Sequence, residues 1–121
     1  ATVSITVTAA QTDVMHISSI DLVIKKAGKN VGALATVTIV DGAGLPVAGA
    51  AVSGRWTGAT GDVDSGVTDS AGRVTLESNK IRTAVSGVTT FTFTVNGVTL
   101  SGWVYDPSAN VETYDSVTYF K

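Results

Sequence analysis

The sequence predicts an all-β fold, an antiparallel β-sandwich of about seven to eight strands. Short runs of alternating apolar and polar residues recur at spacings of roughly 8–12 residues, with Gly, Asp, Asn and Pro between them, as in sandwiches and barrels. No stretch keeps a helical period for longer than two turns. Strands with one apolar face must bury that face against a second sheet, and a sandwich does so.

Length and composition predict a single domain over residues 1–121. The apolar content of 44% suffices for a core, only 15% of residues are charged, and the net charge is −2. No basic stripe exists, so we expect no nucleic-acid partner. No run is long and apolar enough for membrane insertion, and no basic amphipathic segment suits a membrane surface. The chain has no cysteine, which excludes a disulfide framework and thiolate metal sites.

The first strands are predicted from their alternation. Residues 1–12 alternate Val and Ile with Thr and Ser, which fits a linker or an edge strand. In the next strand the apolar parity changes between Ile17 and Ile20, so we predict a β-bulge or strand switch at Ser18-Ser19. The turn "AGKN" leads into "VGALATVTIV", where Ala35, Val37 and Ile39 share one face.

The middle of the chain continues this pattern. After the turn "DGAGLP", the predicted core face of the next strand carries Ala50, Val52, Gly54 and Trp56. The tight turn "DSAG" joins a short strand around Val67 to "RVTLES", which we expect to pair back with its Val and Leu inward. "NKIRTAVSG" is predicted as an irregular crossover, in which Ser78 could cap a short helical turn.

Asn96-Gly97 is the strongest short hairpin signal, because a type I′ turn needs positive φ at both central residues. A two-residue loop would set Val95 opposite Val98, Phe93 opposite Leu100 and Phe91 opposite Gly102. The predicted core face consists of Phe91, Phe93, Val95, Val98, Leu100 and Val104. The predicted solvent face consists of Thr90, Thr92, Thr94, Thr99, Ser101, Trp103 and Tyr105.

Trp103 and Tyr105 therefore allow two interpretations. A bulge at Ser101-Gly102 would reverse the parity and send Trp103 inward. A regular register would leave both aromatic side chains on an open sheet face, where they could stack on sugar rings or dock against a partner domain. Beyond the turn "DPSAN", residues 108–121 are predicted as an extra C-terminal strand.

"ATVTIVDGAGLPVAGAAVSGRWTG", "SGVTDSAGRVTLES" and "TTFTFTVNGV" together resemble the bacterial immunoglobulin-like domains of the invasin/intimin type, and especially the Ig-like accessory modules of secreted bacterial enzymes. The resemblance implies an immunoglobulin-like or fibronectin III-like sandwich within a larger secreted or surface protein. It also implies a core aromatic on the middle strand, a position that Trp56 occupies here.

The sequence contains few residues suited to catalysis or metal binding. The single histidine, His16, is not enough for an imidazole metal site, and its place beside a predicted bulge fits a surface or strand-end residue better than a catalytic base. No nucleophile elbow occurs. The segment "GDVDSGVTD" places Asp62, Asp64 and Asp69 in and after a loop, which allows either an oxygen-rich calcium site or a plain solvated turn. We predict no enzyme, no cofactor and no metal.

The predicted function is that of a non-catalytic accessory or spacer module in an extracellular or cell-surface bacterial protein, orienting or stabilising neighbouring domains. One alternative is a carbohydrate-binding module that uses Trp103, Tyr105 and Arg55 on a polysaccharide. Another is an adhesion domain that binds a protein partner. The expected partners are the flanking domains of the same polypeptide, and the isolated module is expected to be a monomer.

Overall fold

The computed structural model describes residues 13–82 and 88–120, which form an all-β structure as predicted. The predicted linker or edge strand at residues 1–12 lies outside the described residues. The strands are β1 (Asp13–Ala27), β2 (Asn30–Asp41), β3 (Ala51–Gly58), β4 (Val63–Val67), β5 (Arg73–Glu77), β6 (Ile81–Arg82), β7 (Val88–Thr99), β8 (Trp103–Tyr105) and β9 (Tyr114–Phe120). A 3₁₀ helix, Pro107–Ala109, lies between the last two strands, at the predicted "DPSAN" turn.

Two sheets face one another in a sandwich-like arrangement. The first sheet has the order β5-β2-β1-β8, with β6 also paired to β2, and the second has the order β4-β3-β7-β9. Their inner faces supply one continuous hydrophobic core. The largest fully buried side chains are those of Trp56, Phe91, Phe93, Met15, Ile17, Ile20, Ile39, Val31, Val37 and Val52.

The hairpin of β1 and β2 confirms the predicted bulge and turn. Ile17 pairs with Ile39 and Ser19 with Thr38, so Ser18 is an extra residue without a partner in the ladder. The bulge lets both Ile17 and Ile20 point into the core despite their odd spacing. Gly28 closes the hairpin with a φ of 62°, in the left-handed region that glycine adopts without steric cost.

The core centres on Trp56 of β3, whose predicted inward orientation is confirmed. Its ring centroid lies 4.9 Å from that of Phe93 and 6.4 Å from that of Phe91, the latter in an edge-to-face contact. Gly54 allows this packing, because a Cβ atom there would run into the Phe93 ring. The predicted core face of β3 is therefore correct, glycine included.

The predicted hairpin at Asn96-Gly97 is wrong. β7 runs straight through these residues and pairs with β3 along one edge and with β9 along the other. Asn96 is an extra residue in a bulge, since Ser53 pairs with Gly97 and Gly54 with Val95. Gly97 does not have the positive φ that a type I′ turn needs. Pairing with β3 on both sides of Asn96 thus outweighs the local turn preference.

β7 is followed by a turn that the alternation of side chains did not predict. The Trp103 N–H donates to the Leu100 carbonyl at 2.9 Å, and Gly102 has a φ of 83°, as at the third position of a type II turn. The chain then crosses to the first sheet, where β8 pairs in parallel with β1. The turn reverses the parity, so Val104, predicted to be buried, is 50% exposed.

The expected hairpin around the "TDSAG" turn is wrong as well. β4 pairs with β3 in the second sheet, whereas β5 pairs with β2 in the first, so the turn carries the chain across the sandwich. Val74 and Leu76 are buried, as predicted. Ser78 caps no helix in the described residues 78–82, because its Oγ atom accepts a hydrogen bond from the Ala33 N–H of β2.

The segment around the 3₁₀ helix covers the outer edge of β1. The Asp106 N–H donates to the Met15 carbonyl at 2.8 Å. Further along β1, two side chains accept the hydrogen bonds that a neighbouring strand would otherwise accept. Asn110 Oδ1 accepts from the Ile17 N–H at 2.7 Å, and Glu112 Oε2 accepts from the Ile20 N–H at 2.8 Å. After this clamp the predicted C-terminal strand forms as β9, and it pairs with β7.

Candidate functional site

An open groove lies where the chain crosses from β7 to β8. It has a volume of about 670 Å³. Its lining consists of Gly49, Val98, Thr99, Leu100, Ser101, Trp103, Val104 and Tyr105. Concave, mainly apolar surfaces with a few polar atoms are typical of small-molecule sites. The groove is thus the first candidate site.

Trp103 and Tyr105 are the predicted site residues that lie in this groove. Both side chains are half-buried and pack against the hydrophobic core. Of the two interpretations, inward orientation of Trp103 therefore fits, although a turn and not a bulge reverses the parity. The Tyr105 hydroxyl accepts a hydrogen bond of 2.7 Å from Asn110 Nδ2, which leaves its own proton free to donate to a ligand.

Arg55, the third predicted site residue, lies elsewhere. It is exposed on the outer face of β3, in the second sheet, whereas Trp103 and Tyr105 belong to β8 in the first sheet. The three residues thus form no common site. The alternation of β3 correctly placed Arg55 on the face opposite Trp56. The predicted hairpin, however, paired β7 with the strand that carries Trp103 and Tyr105, whereas β7 pairs with β9.

The outer face of the second sheet is the second candidate site. One row of side chains crosses the whole sheet, from Val63 on β4 through Arg55 and Thr94 to Tyr114 on β9. Sequence reasoning missed Tyr114, whose side chain is 63% exposed. The alternation of "TYDSVTYF" carried the signal, since it puts Tyr114 on the hydroxyl-bearing side of that strand.

Hydroxyl groups dominate this face next to the row. Thr92 and Ser116 share a hydrogen bond of 2.7 Å between their side-chain oxygens, and Thr90 and Thr118 share one of 3.2 Å. Each hydroxyl has one proton and two lone pairs, so a single such contact leaves capacity for a ligand. The middle of the face is therefore rich in donors and acceptors, whereas exposed apolar side chains lie toward its edges, namely Val63, Val67, Val88 and Phe120.

The three aspartates of the predicted loop have separate structural roles. Asp62 Oδ2 accepts from the Asn79 N–H at 3.1 Å, and Asp64 Oδ2 accepts from the Trp56 indole at 2.9 Å. Asp69 Oδ1 accepts from two backbone N–H groups of its own turn, and those of Arg73 and then Ala71 lower the pKa of this carboxyl. Within residues 13–82 and 88–120, no three acidic or histidine side chains converge on a possible metal position.

Comparisons with protein-family models, with curated proteins and with solved structures give no match for this chain. No helix in the described part of the chain is long and apolar enough to cross a membrane.

Proposed function

We propose that this protein is a non-catalytic, immunoglobulin-like spacer module of a larger extracellular or cell-surface bacterial protein, in which it holds neighbouring domains apart in a fixed orientation. One observation carries the proposal: the described chain enters the sandwich at one end and leaves it at the other. A module with that geometry separates the domains before and after it, whereas termini at the same end would bring them together.

Three contacts between β1 and residues 110–119 give the relative direction of the two segments. Asn110 contacts Ile17, and Glu112 contacts Ile20. Further along, the Lys26 ammonium lies 5.9 Å from the centre of the Tyr119 ring. Both segments therefore run the same way, with Asp13 at one end and Phe120 at the other. At about 3.3 Å per strand residue, their separation is roughly 40 Å.

The strand order supports the immunoglobulin-like assignment. The order of β1, β2 and β5 in the first sheet is similar to that of strands A, B and E, and the order of β3, β7 and β9 in the second is similar to that of C, F and G. β4 lies next to β3, where variable-type domains carry an additional strand. Fibronectin type III domains share this two-sheet architecture. The buried Trp56 on β3 also fits the core tryptophan of strand C.

A spacer must be stiff, and two features of the described residues support a stiff module. The core is continuous between the sheets, and the bulged edge of β1 is covered by backbone and side-chain hydrogen bonds from residues 106–112. Covered edges also resist unwanted strand pairing between neighbouring copies.

The proposal is tested in the full-length chain that contains this module. Residues 13–120 are replaced by a Gly/Ser linker of equal length, and small-angle X-ray scattering measures the distance between the flanking domains. We expect one narrow distance distribution with the module and a broad one with the linker, because Gly/Ser chains behave as flexible coils. Thermal unfolding of the flanking domains serves as the control and should not change. Identical distributions in the two proteins would contradict the spacer function.

Carbohydrate binding is the second candidate function, and the groove beside Trp103 and Tyr105 is the observation that favours it. Titration of the protein with oligosaccharides should shift the tryptophan fluorescence, and Trp103→Phe should remove the shift while Trp56 still emits. An unchanged spectrum with neutral and acidic sugars would argue against this site.

A further inference from the structure

Arg55 is an exposed cation, and no acidic side chain in the described part of the chain forms an ion pair with it. Two salt bridges in the described residues join Glu77 to Lys25 and to Lys80, and none of these three residues belongs to the second sheet. Within residues 13–82 and 88–120, no hydrogen bond engages the Arg55 guanidinium either. The alternation of β3, β4, β7 and β9 also places no other charged side chain on the outer face of the described sheet.

Tyr114 provides an exposed aromatic ring in the same row. Arg55 pairs with Thr94, and Thr94 pairs with Tyr114, so the guanidinium and the ring lie two strands apart on one face. Adjacent strands are about 4.8 Å apart, which puts their Cα atoms about 10 Å from each other. Thr94 lies between them in the register, and the Thr92–Ser116 and Thr90–Thr118 pairs extend the polar surface beyond.

From this arrangement we infer that the outer face of the second sheet binds a polysaccharide that carries carboxylate groups, such as a uronic acid polymer. The fork of N–H donors on Arg55 matches a carboxylate in a bidentate contact. The Tyr114 ring offers an apolar face on which the C–H side of a sugar can stack. The threonine and serine hydroxyls match the sugar hydroxyls as donors and acceptors.

The chemistry of the face selects this ligand class over others. An exposed arginine with no ion pair among the described residues attracts an anion, and one positive charge is far too little for a nucleic acid, whose binding needs several phosphate contacts. A protein interface would have an apolar centre, whereas the centre of this face consists of hydroxyl groups around Thr92 and Thr94. An acidic sugar polymer needs only the single charge, the ring and the hydroxyls that are present.

Calorimetric titration with two matched probes tests the inference. One probe is an oligogalacturonate, and the other is the same oligomer with its carboxyl groups methyl-esterified. We expect the acid to bind and the ester to bind at least about tenfold more weakly, since a hydrogen-bonded charge pair is lost. Raising the salt concentration should weaken binding of the acid but not binding of the ester.

Variants identify the face. Arg55→Gln should weaken binding of the acid about tenfold or more, Arg55→Lys by less, and Tyr114→Ala by about fivefold. Arg73→Gln, which removes an exposed arginine from the first sheet, is the matched control and should bind normally. Trp103→Phe tests whether the acid binds in the groove instead. Thermal unfolding verifies that each variant is folded.

The inference is overturned if the wild type does not bind the acid, if acid and ester bind equally, or if Arg55→Gln binds like the wild type. Loss of acid binding in Trp103→Phe would place the site in the groove and would also overturn the inference. None of these results bears on the distance between flanking domains, so the spacer function is tested separately.

Discussion

The indole Nε1 of Trp56 donates a hydrogen bond of 2.9 Å to the Oδ2 atom of Asp64. Trp56 is fully buried at the centre of the core, and Asp64 lies on the neighbouring edge strand β4. This contact satisfies the single polar atom of the largest core side chain and fixes β4 against β3. A buried indole usually finds such a partner.

Removal of this acceptor should destabilise the fold. We expect Asp64→Ala to lower the free energy of unfolding by about 1–3 kcal/mol, because the indole N–H is left buried without a partner. Asp64→Asn retains an acceptor oxygen and should cost clearly less. Urea unfolding followed by tryptophan fluorescence measures both. Equal losses for the two variants would show that the hydrogen bond is not the cause.

Gly54 should not tolerate a side chain. A Cβ atom there would lie 2.6 Å from the Thr94 carbonyl oxygen and against the Phe93 ring, so Gly54→Ala must displace backbone or core. We expect a loss of about 1–3 kcal/mol in urea unfolding, as for other overpacked cores. Gly61→Ala is the matched control, since a Cβ atom at Gly61 has no neighbour within 4 Å. A loss of the same size in both variants would contradict this packing.

The clamp on the edge of β1 should be visible residue by residue in amide hydrogen exchange. Asn110→Ala should speed exchange at the Ile17 N–H by about fivefold to tenfold, and Glu112→Ala should do the same at the Ile20 N–H. The Val37 amide, in the interior of the first sheet, reports global opening and normalises both rates. Uniform acceleration at all three amides would mean that these side chains act on overall stability and not on the edge.

Asp69 should make part of the stability depend on pH. Hydrogen bonds from the Arg73 and Ala71 N–H groups lower the pKa of its carboxyl in the folded protein, so the unfolded chain takes up a proton first as the pH falls. This contribution is present above about pH 4 and is lost as the pH falls through the lowered pKa. The stability difference between the wild type and Asp69→Asn should therefore shrink between pH 6 and pH 3 in thermal unfolding.

Ser70→Ala, an uncharged change in the same turn, is the control for that experiment. Its difference from the wild type should stay constant over the same pH range. If the difference for Asp69→Asn also stays constant, the two backbone hydrogen bonds do not shift the proton equilibrium of Asp69.

Local patterns predicted the faces of the strands but not all of their partners. Val52, Trp56, Phe91 and Phe93 are buried as expected, because alternation is a property of each strand alone. Asn96-Gly97 is a strong local turn signal, yet β7 pairs there with β3, a strand that is distant in sequence. Long-range pairing of this kind leaves no mark within the short segment that it overrides.

The candidate sites show the same division. Arg55 was placed on the correct face by alternation, whereas its separation from Trp103 results from the turn at Gly102, which moves the chain to the other sheet. Tyr114 became a neighbour of the Arg55 row only through the pairing of β9 with β7. Sites assembled from several strands depend on sheet order, which alternation does not encode.

The separation of the two ends of the sandwich is the most direct test of the account. Asp13→Cys and Phe120→Cys, introduced together into a chain that has no other cysteine, allow specific spin labelling and a distance measurement by double electron–electron resonance. The account predicts one narrow distribution centred at roughly 40 Å. A distance of about half that value would place the two ends side by side and contradict the spacer geometry.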